Sequence, residues 1–244
     1  MNGLKQVSLA LATAGVLGSG VAQAALFDRG GGLIYDDVLK ITWLQDANYS
    51  KTSGYDADGL MNWTAANAWA AGLSYGGYDD WRLARNTPVG TDWNDHFSYD
   101  GSTDVGYNVT SPHSELGYMY YVNLGLKGIY SPAGVYQSDW GVFGNGTIRG
   151  QKDFDLVKNL QSDIYWSGTA YASNPASNAW FFSTSNAGAY QGNTSQTNEF
   201  IAWAVRPGDV AAPIPEPETY AMLLAGLGLL GVVATRGRRS FPAS

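Results

Sequence analysis

Apolar residues occur along the chain in short runs that are separated by clusters of glycine, asparagine and serine. The stretch GLIYDDVLKITWLQD alternates apolar and polar positions between Leu39 and Trp43, which predicts two strands around Asp36-Asp37. Three aromatic or β-branched runs in the last third, DIYWSGT, NAWFFSTS and EFIAWAVRPG, predict further strands. Residues 200–205 are apolar on both faces, so we expect them in the middle of a sheet.

Two segments of the first half have helical character. Asn62 is an N-cap candidate for the alanine-rich residues 63–73, which end close to Gly76-Gly77. Ser114 is the N-cap candidate of a second helix through about residue 122, with Glu115 in its first turn. Residues 141–150 have the composition of a loop. The sequence therefore predicts an α+β domain, with two helices in its first half and a second half rich in strands and loops.

The first 24 residues have the pattern of a secretory signal peptide. Lys5 precedes an apolar run, and the small-residue cleavage site Ala22-Gln23-Ala24 follows that run. We expect export through the Sec pathway and cleavage by signal peptidase after Ala24. The alternative is a first helix packed on the core, and it is disfavoured because the segment has no polar face.

A second apolar segment lies near the C-terminus. Residues 220–234 carry no charge, and as a helix they would extend about 22 Å, against about 30 Å for the hydrocarbon core of a bilayer. Arg236, Arg238 and Arg239 follow, and such a cluster favours a cytoplasmic C-terminus with the preceding chain on the other side. The segment is thus a marginal membrane span.

Residues 226–231, GLGLLG, match the spacing of a dinucleotide-binding fingerprint. That fingerprint functions between a strand and a helix, with an acidic residue about 20 positions further on. The 13 residues after Gly231 include neither Asp nor Glu. A membrane helix rich in small residues is therefore the better interpretation.

The composition of the expected domain, residues 25–210, argues against several classes of partner and of chemical site. It has ten Lys and Arg against nineteen Asp and Glu, a net charge of −9, which disfavours nucleic acid and anionic lipid as partners. The absence of cysteine excludes disulfides, thiol nucleophiles and thiolate metal sites. The chain's nine Trp, sixteen Tyr and eight Phe can pack a core, and an aromatic content of 14% also suits a sugar-binding surface.

The tail resembles a PEP-CTERM sorting signal. Pro215, Glu216 and Pro217 come first, the apolar run follows, and Arg236, Arg238 and Arg239 close the segment. The resemblance implies that residues 211–219 are a linker and that 220–239 anchor the chain for a time in the inner membrane. It also implies cleavage near Pro-Glu-Pro by an exosortase, and release to the cell surface or matrix of a Gram-negative-type bacterium. A permanent anchor with an uncut tail is the alternative.

A second resemblance covers nearly all of the region between the termini, from Leu33 to Gly208. The blocks TWLQDANYSKTSGYDADGLMNWTAANAWAAGL, GGYDDWRLA, SELGYMYY, YWSGTAYASNPASNAWFF and FIAWAVRPG are similar to successive blocks of the Lcl C-terminal domain, a bacterial domain of unknown function. The resemblance implies a C-type-lectin-like fold. This chain departs from the family at Ala84, where proline is usual, and at residues 85–113, which read as an inserted or lengthened polar loop.

Asp56-Ala57-Asp58-Gly59 resembles half of a calcium-binding loop, because two hard oxygen ligands precede a glycine suited to a sharp turn. Asp46 is the nearest additional acid, and residues 60–70 contain none. The alternative to a calcium site at Asp56 and Asp58 is a turn whose carboxylates accept backbone hydrogen bonds. No other cofactor is expected.

Two further sets of residues are weaker candidates for chemistry. Trp93-Asn94-Asp95 matches a motif beside the sugar-binding calcium of C-type lectins, but it lies early in the chain and inside the polar loop. His96 and His113 are the only histidines, and exposed loop positions explain them better than a zinc site or a general base. We therefore expect no catalytic residues and no enzymatic activity.

These observations predict an exported, exosortase-sorted surface or matrix protein. Its domain is expected to bind a polysaccharide or another surface protein, through exposed rings that stack on sugar faces and polar groups that bond hydroxyls. The alternatives are a structural matrix component without a specific ligand and an envelope enzyme acting on glycans or proteins. The sequence alone does not single out the binding residues.

Overall fold

The computed structural model describes residues 26–185 and 188–210. The signal peptide, the linker and the sorting segment predicted above lie outside these ranges. The described strands are β1 (Leu26–Gly30), β2 (Leu33–Asp36), β3 (Ile41–Leu44), β4 (Leu60–Met61), β5 (Arg82–Leu83), β6 (Phe97–Ser98), β7 (Val105–Tyr107), β8 (Gln151–Phe154), β9 (Val157–Gln161), β10 (Ile164–Ala170), β11 (Asn178–Ser183), β12 (Tyr190–Ser195), β13 (Phe200–Ile201) and β14 (Ala204–Pro207). The helices are α1 (Tyr49–Thr52), α2 (Trp63–Ala71) and α3 (Glu115–Tyr118), and a π-helical turn (Met119–Asn123) continues α3.

The first sheet has five antiparallel strands in the order β1-β2-β3-β14-β5. β2 and β3 are the two strands predicted around Asp36-Asp37, with Asp36 opposite Ile41. The Asp36 side chain stabilises the connecting turn, because its Oδ1 accepts the backbone N–H groups of Val38 and Leu39 at 3.0 and 2.9 Å. This prediction is confirmed.

The second sheet has seven strands in the order β4-β13-β10-β11-β12-β7-β6. Its centre is the antiparallel set β10, β11 and β12, and two of these three strands were predicted from their aromatic runs. β13 lies parallel to β10, and β6 lies parallel to β7 at the edge of the sheet. A third sheet is the hairpin of β8 and β9.

Residues 200–205 contribute to both large sheets. β13 lies between β4 and β10, and β14 lies between β3 and β5, so the predicted interior position is confirmed in each sheet. Trp203 lies at the break between these strands, and its ring centroid is 4.7 Å from that of Trp43 and 5.9 Å from that of Tyr165. Because Trp43 belongs to the first sheet and Tyr165 to the second, Trp203 joins the two sheets in one aromatic core.

Both predicted helices are present, although they are short. Asn62 caps α2, with its Oδ1 accepting the N–H of Ala65 at 2.9 Å, and Ser114 caps α3, with its Oγ accepting the N–H of Gly117 at 3.0 Å. Residues 141–150 form turns, as their composition predicts.

The predicted fold class, an α+β C-type-lectin-like domain, is wrong. The described residues are organised mainly as three sheets, and strands β1 to β7 occupy the first half alongside the helices. The error arose because several strands carry little apolar signal. β12 reads YQGNTS, yet Gln191 is buried and donates from Nε2 to the Asp104 carbonyl oxygen at 2.8 Å. The segment 85–113, read as a polar loop, contains β6 and β7.

Candidate functional site

A row of aromatic side chains crosses one face of the seven-stranded sheet. Six neighbouring strands each contribute one ring, and every ring contacts another of the set at a centroid distance between 4.5 and 6.4 Å. We call these residues the aromatic row: Phe200 on β13, Trp166 on β10, Phe181 on β11, Tyr190 on β12, Tyr107 on β7 and Phe97 on β6.

Strand register explains why these rings share a face. Trp166 is opposite Phe181, and Tyr190 is opposite Tyr107. Phe181 and Ser183 lie two positions apart on β11, and Ser183 is opposite Tyr190, so all four strands present a ring on the same side. Tyr165 alternates with Trp166 and points to the opposite side, where it contacts Trp203 in the core.

Exposure increases along the row from Trp166 to Phe97. Trp166 is completely buried, Phe181, Tyr190 and Tyr107 are half-buried, and Phe97 is 49% exposed. Three more tyrosines surround the exposed end, with Tyr99 41% and Tyr136 60% exposed. We call the exposed group the aromatic patch: Phe97, Tyr99, Tyr107, Tyr130, Tyr136 and Tyr190. Such a contiguous set of exposed rings is a candidate interaction surface.

Two residues support this arrangement. A Cβ on Gly192 would lie 2.5 Å from Tyr190 Cε1 and 3.2 Å from Phe181 Cζ. Both rings can lie over β12 because Gly192 has no side chain. Asn108 is buried, and its Nδ2 donates to the carbonyl oxygens of Tyr99 and Tyr130 at 2.6 and 2.9 Å. Asn108 thereby fixes two segments of the patch relative to each other.

The tyrosine side chains of the patch have hydroxyl groups available to a ligand. Within the described part of the chain, the hydroxyls of Tyr99, Tyr107, Tyr130, Tyr136 and Tyr190 have no hydrogen-bond partner. Burial raises the pKa of Tyr107, and the neighbouring phenols of Tyr130, Tyr190 and Tyr99 raise it further. Burial also raises the pKa of Tyr190. These phenols therefore stay uncharged at neutral pH and can both donate and accept hydrogen bonds.

An open cleft of about 730 Å³ lies at the segment that leads into β6. It is lined by Gly90, Thr91, Asp92, Trp93, Asn94, Asp95, His96 and Ser102, and therefore contains the predicted Trp93-Asn94-Asp95 motif. Trp93 stacks on the buried Trp180, with centroids 4.9 Å apart and an interplanar angle of 21°. The Asp95 carboxylate accepts a hydrogen bond from the Tyr171 hydroxyl at 2.6 Å. The motif thus forms the wall of a cleft in this fold.

The residues predicted to bind calcium form a turn and are not among the residues that line the cleft. Asp56 Oδ1 accepts the backbone N–H groups of Asp58 and Gly59 at 3.1 and 2.8 Å, and Asp58 Oδ1 accepts that of Leu60 at 3.0 Å. Partial desolvation raises the pKa of Asp56, but the N–H groups of Gly59 and Asp58 contribute to a larger opposite effect, so the pKa is lowered. Calcium binding at Asp56 and Asp58 stays a prediction.

The two histidines have different surroundings. His96 lines the cleft, whereas His113 Nδ1 is 2.9 Å from the Thr87 hydroxyl oxygen. Across residues 26–185 and 188–210, no group of three or more His, Asp and Glu side chains is arranged to hold a metal ion. His113 is not among the residues that line the cleft with His96.

Four charged residues from the blocks that resemble the Lcl C-terminal domain form ion pairs between structural elements. Asp80 accepts two hydrogen bonds from the Arg206 guanidinium at 2.7 and 3.0 Å. Arg82 donates two to Glu115, at 2.7 and 2.8 Å, and this pair is largely buried. The first pair links the segment before β5 to β14, and the second links β5 to α3, so these residues hold elements together.

Comparison with known proteins gives one match. A family model described as the PEP-CTERM protein-sorting motif matches residues 213–239. The chain is an exosortase-sorted exported protein. Pro215, Glu216, Pro217, Arg236, Arg238 and Arg239 all lie within the matched range, which is outside the described residues. The motif implies an exosortase as processing partner and a destination in the cell envelope or at the surface.

Neither the curated proteins nor the solved structures gave a match. Within the part of the chain that the structure describes, none of the helices has the length and apolar character needed to cross a bilayer.

Proposed function

We propose that the mature domain binds a polysaccharide on the aromatic patch. The observation that carries this proposal is the set of six partly exposed rings in mutual contact on the outer face of the sheet. A flat ring covers the apolar C–H face of a sugar, and the free phenolic hydroxyls bond to sugar hydroxyls. The proposal involves no catalysis. Its alternatives are recognition of a surface protein and a structural role in a matrix.

Position in the cell supports this function. The sorting motif directs the chain to the envelope or surface, where polysaccharides are abundant. We infer that the tail holds the chain transiently in the inner membrane of a Gram-negative-type bacterium until an exosortase cleaves near Pro215. Mass spectrometry of the secreted protein tests this step, and an intact segment from Arg236 to Arg239 on the mature form would contradict it.

The binding proposal is tested on a glycan array with the secreted mature protein. Replacing Phe97, Tyr99 and Tyr136 together by alanine removes three exposed rings and is expected to raise Kd for a bound glycan at least about tenfold. The matched control is Tyr55→Ala, because Tyr55 is 62% exposed and lies outside the patch. Circular dichroism checks that both variants keep the fold.

Each outcome assigns a function class. Loss of binding in the triple variant but not in Tyr55→Ala supports the proposal. Equal binding by all three proteins contradicts the assignment to the patch. An array without saturable binding favours the structural role, and release of cleaved sugars from the array favours an envelope enzyme.

A further inference from the structure

A second cleft lies at the β13 end of the aromatic row, and we call it the β13 cleft. It has a volume of about 720 Å³, and its apolar lining residues are Leu60, Ile148, Ile164 and Phe200. Phe200 is also a member of the row, where its ring centroid is 5.9 Å from that of Phe181. One side chain therefore belongs to both the cleft and the row.

The row leads from this cleft to the aromatic patch along one face of the sheet. The ring centroids of Phe181 and Tyr190 are 6.1 Å apart, and those of Tyr190 and Phe97 are 6.4 Å apart. Phe200, Phe181 and Tyr190 are half-buried and Phe97 is exposed, so part of each ring is accessible. The row crosses six neighbouring strands, which corresponds to about 24 Å at the usual strand spacing. An extended oligosaccharide lying across the strands can therefore contact the patch and the β13 cleft together.

The β13 cleft also has charged walls, formed by Arg149, Asp163 and Glu199. None of the ion pairs among residues 26–185 and 188–210 includes any of the three. In the same ranges the Arg149 guanidinium and the Glu199 carboxylate have no hydrogen-bond partner, whereas Asp163 Oδ1 accepts the backbone N–H of Ile164 at 2.9 Å. The cleft thus offers a ligand one guanidinium donor and two carboxylate acceptors.

The segment that carries Arg149 is held in place by the buried Ser162. Ser162 Oγ donates to the Thr147 carbonyl oxygen at 2.7 Å. The Arg149 N–H donates to the Ser162 carbonyl oxygen at 2.8 Å, and the Ser162 N–H donates to the Gly150 carbonyl oxygen at 2.8 Å. These bonds hold Arg149 at a φ of +61°, in the left-handed region that favours glycine. This wall is formed before a ligand binds, which reduces the entropy lost on binding.

Apolar side chains, a guanidinium donor and carboxylate acceptors therefore line one space, and an acetamido group presents the complementary methyl, carbonyl and N–H groups. We propose that the row and the β13 cleft bind an extended polysaccharide of N-acetylated amino sugars, with one acetamido group in the cleft. The methyl group packs against Ile148 and Ile164, and the carbonyl oxygen accepts from Arg149. The N–H donates to Asp163 or Glu199. This inference rests on the proposed function and specifies its substrate class.

Other sugar substituents fit fewer of the lining residues. A carboxylate would pair with Arg149 but would be repelled by Asp163 and Glu199. A free ammonium would pair with those two acids, but it would be repelled by Arg149 and would leave the apolar wall uncovered. A hydroxyl group also has no methyl to cover this wall.

Calorimetry on the mature protein with three matched hexasaccharides tests this inference. The probes are β-1,4-linked hexamers of N-acetylglucosamine, glucose and glucosamine, which differ only in the substituent at carbon 2, each at low and at high salt. We expect the acetylated hexamer to bind at least about tenfold more tightly than the glucose hexamer, because it adds hydrogen bonds to charged groups and a buried methyl group. We also expect it to bind more tightly than the glucosamine hexamer.

Arg149→Ala tests the role of the cleft. The variant lacks the guanidinium and is expected to raise Kd for the acetylated hexamer about tenfold, while Kd for the glucose hexamer stays nearly unchanged. The matched control is Arg85→Ala, because Arg85 is exposed and is not among the residues that line the cleft. It should leave both affinities unchanged. Thermal unfolding shows whether either variant has lost stability.

The outcomes separate this inference from the proposed function. Binding of no hexamer, together with a blank glycan array, overturns both. Equal affinity for the acetylated and glucose hexamers, or preferential and salt-dependent binding of the glucosamine hexamer, overturns the acetamido assignment while polysaccharide binding stands. An unchanged Kd of Arg149→Ala for the acetylated hexamer removes the β13 cleft from the binding surface.

The triple patch variant tests whether the ligand spans the row. Replacing Phe97, Tyr99 and Tyr136 by alanine should weaken binding of the acetylated hexamer, and adding Arg149→Ala should weaken it further. A triple variant that binds this hexamer like the wild type, while Arg149→Ala does not, would show that the ligand occupies the cleft without reaching the patch. That result would contradict the shared surface.

Discussion

Aromatic rings fill two regions of this molecule, the space between the two large sheets and the outer face of the seven-stranded sheet near β6. In the first region the polar atoms of most rings are satisfied inside the protein. Trp203 Nε1 donates to the Leu44 carbonyl oxygen at 2.7 Å, and the Tyr120 hydroxyl donates to that of Lys127 at 2.9 Å. In the second region the described tyrosine hydroxyls are unpaired. The same residue types thus stabilise the fold in one place and present a binding surface in the other.

Buried area alone does not distinguish the two regions, because the aromatic row connects them. Trp166 is completely buried and donates from Nε1 to the Met61 carbonyl oxygen at 2.8 Å, whereas Phe97 at the β6 end of the row is 49% exposed. The two regions differ more clearly in hydrogen bonding, because a ring whose polar atom is already paired inside the protein cannot use that atom to bind a ligand. Stability and binding measurements on matched variants can test this division.

The largest effect is expected for Trp203→Ala. Trp203 is 2% exposed and contacts rings from both sheets, so its removal leaves a large cavity and an unpaired carbonyl oxygen. We expect a loss of about 3–5 kcal/mol in the free energy of unfolding, measured by urea denaturation. Trp203→Phe, which keeps a ring, should lose less. A loss below about 1 kcal/mol for the alanine variant would contradict the role of Trp203 in joining the sheets.

The next effect concerns the ion pair that links β5 to α3. In Glu115→Gln, one carboxylate oxygen becomes an amide N–H₂ that faces the Arg82 guanidinium, so one charge of a largely buried pair is left uncompensated. We expect a loss of about 2–3 kcal/mol by urea denaturation. The control is Asp139→Asn in the exposed pair with Lys127, which should leave stability nearly unchanged because solvent screens that pair. Equal losses in both variants would contradict this difference.

Asp36→Asn is expected to have a smaller effect of opposite sign. Burial raises the pKa of Asp36, although the N–H groups of Leu39, Asn123 and Val38 oppose the shift. An acid with a raised folded-state pKa stabilises the fold at low pH and loses that contribution as pH rises through this pKa. The buried Asn123 Oδ1 has no partner, and a flipped Asn123 can accept from the new amide.

At neutral pH we therefore expect Asp36→Asn to be more stable than the wild type. The difference should shrink as pH falls toward the pKa of the unfolded chain, because Asp36 then becomes neutral in both states. Urea denaturation between acid and neutral pH measures this. A variant that is less stable at neutral pH, with a deficit that shrinks in acid, would show that the ionised form of Asp36 is favoured.

Sequence patterns identified the elements that have strong local signals. β2 and β3 alternate apolar and polar residues, α2 follows an asparagine cap, and β10 and β11 are rich in aromatic residues. β12 gave no such signal, because its buried positions include a glutamine and a glycine. The balance between helix and sheet was therefore misjudged, and with it the fold class.

The candidate site was less predictable than the fold. The rings of the patch come from β6, β7, β12 and two connecting segments, and only the sheet order β12-β7-β6 brings them together. No local sequence pattern encodes that strand order. In a chain with many tyrosines, the sequence also does not distinguish an exposed tyrosine from a buried one. The Trp93-Asn94-Asp95 motif was noticed for its similarity to a lectin motif, but its position in the wall of a cleft follows from the fold alone.

The smallest expected change in stability belongs to Tyr136→Ala. Tyr136 is 60% exposed and contacts only the Tyr130 ring among the described aromatic side chains, so its loss should change the free energy of unfolding by at most about 0.5 kcal/mol. The same variant should raise Kd for a bound polysaccharide about fivefold, because a stacked ring contributes about 1 kcal/mol. Tyr136→Phe keeps the ring and isolates the contribution of the hydroxyl. Destabilisation comparable to that of Trp203→Ala, with unchanged affinity, would place Tyr136 in the structural region and contradict the division between the two.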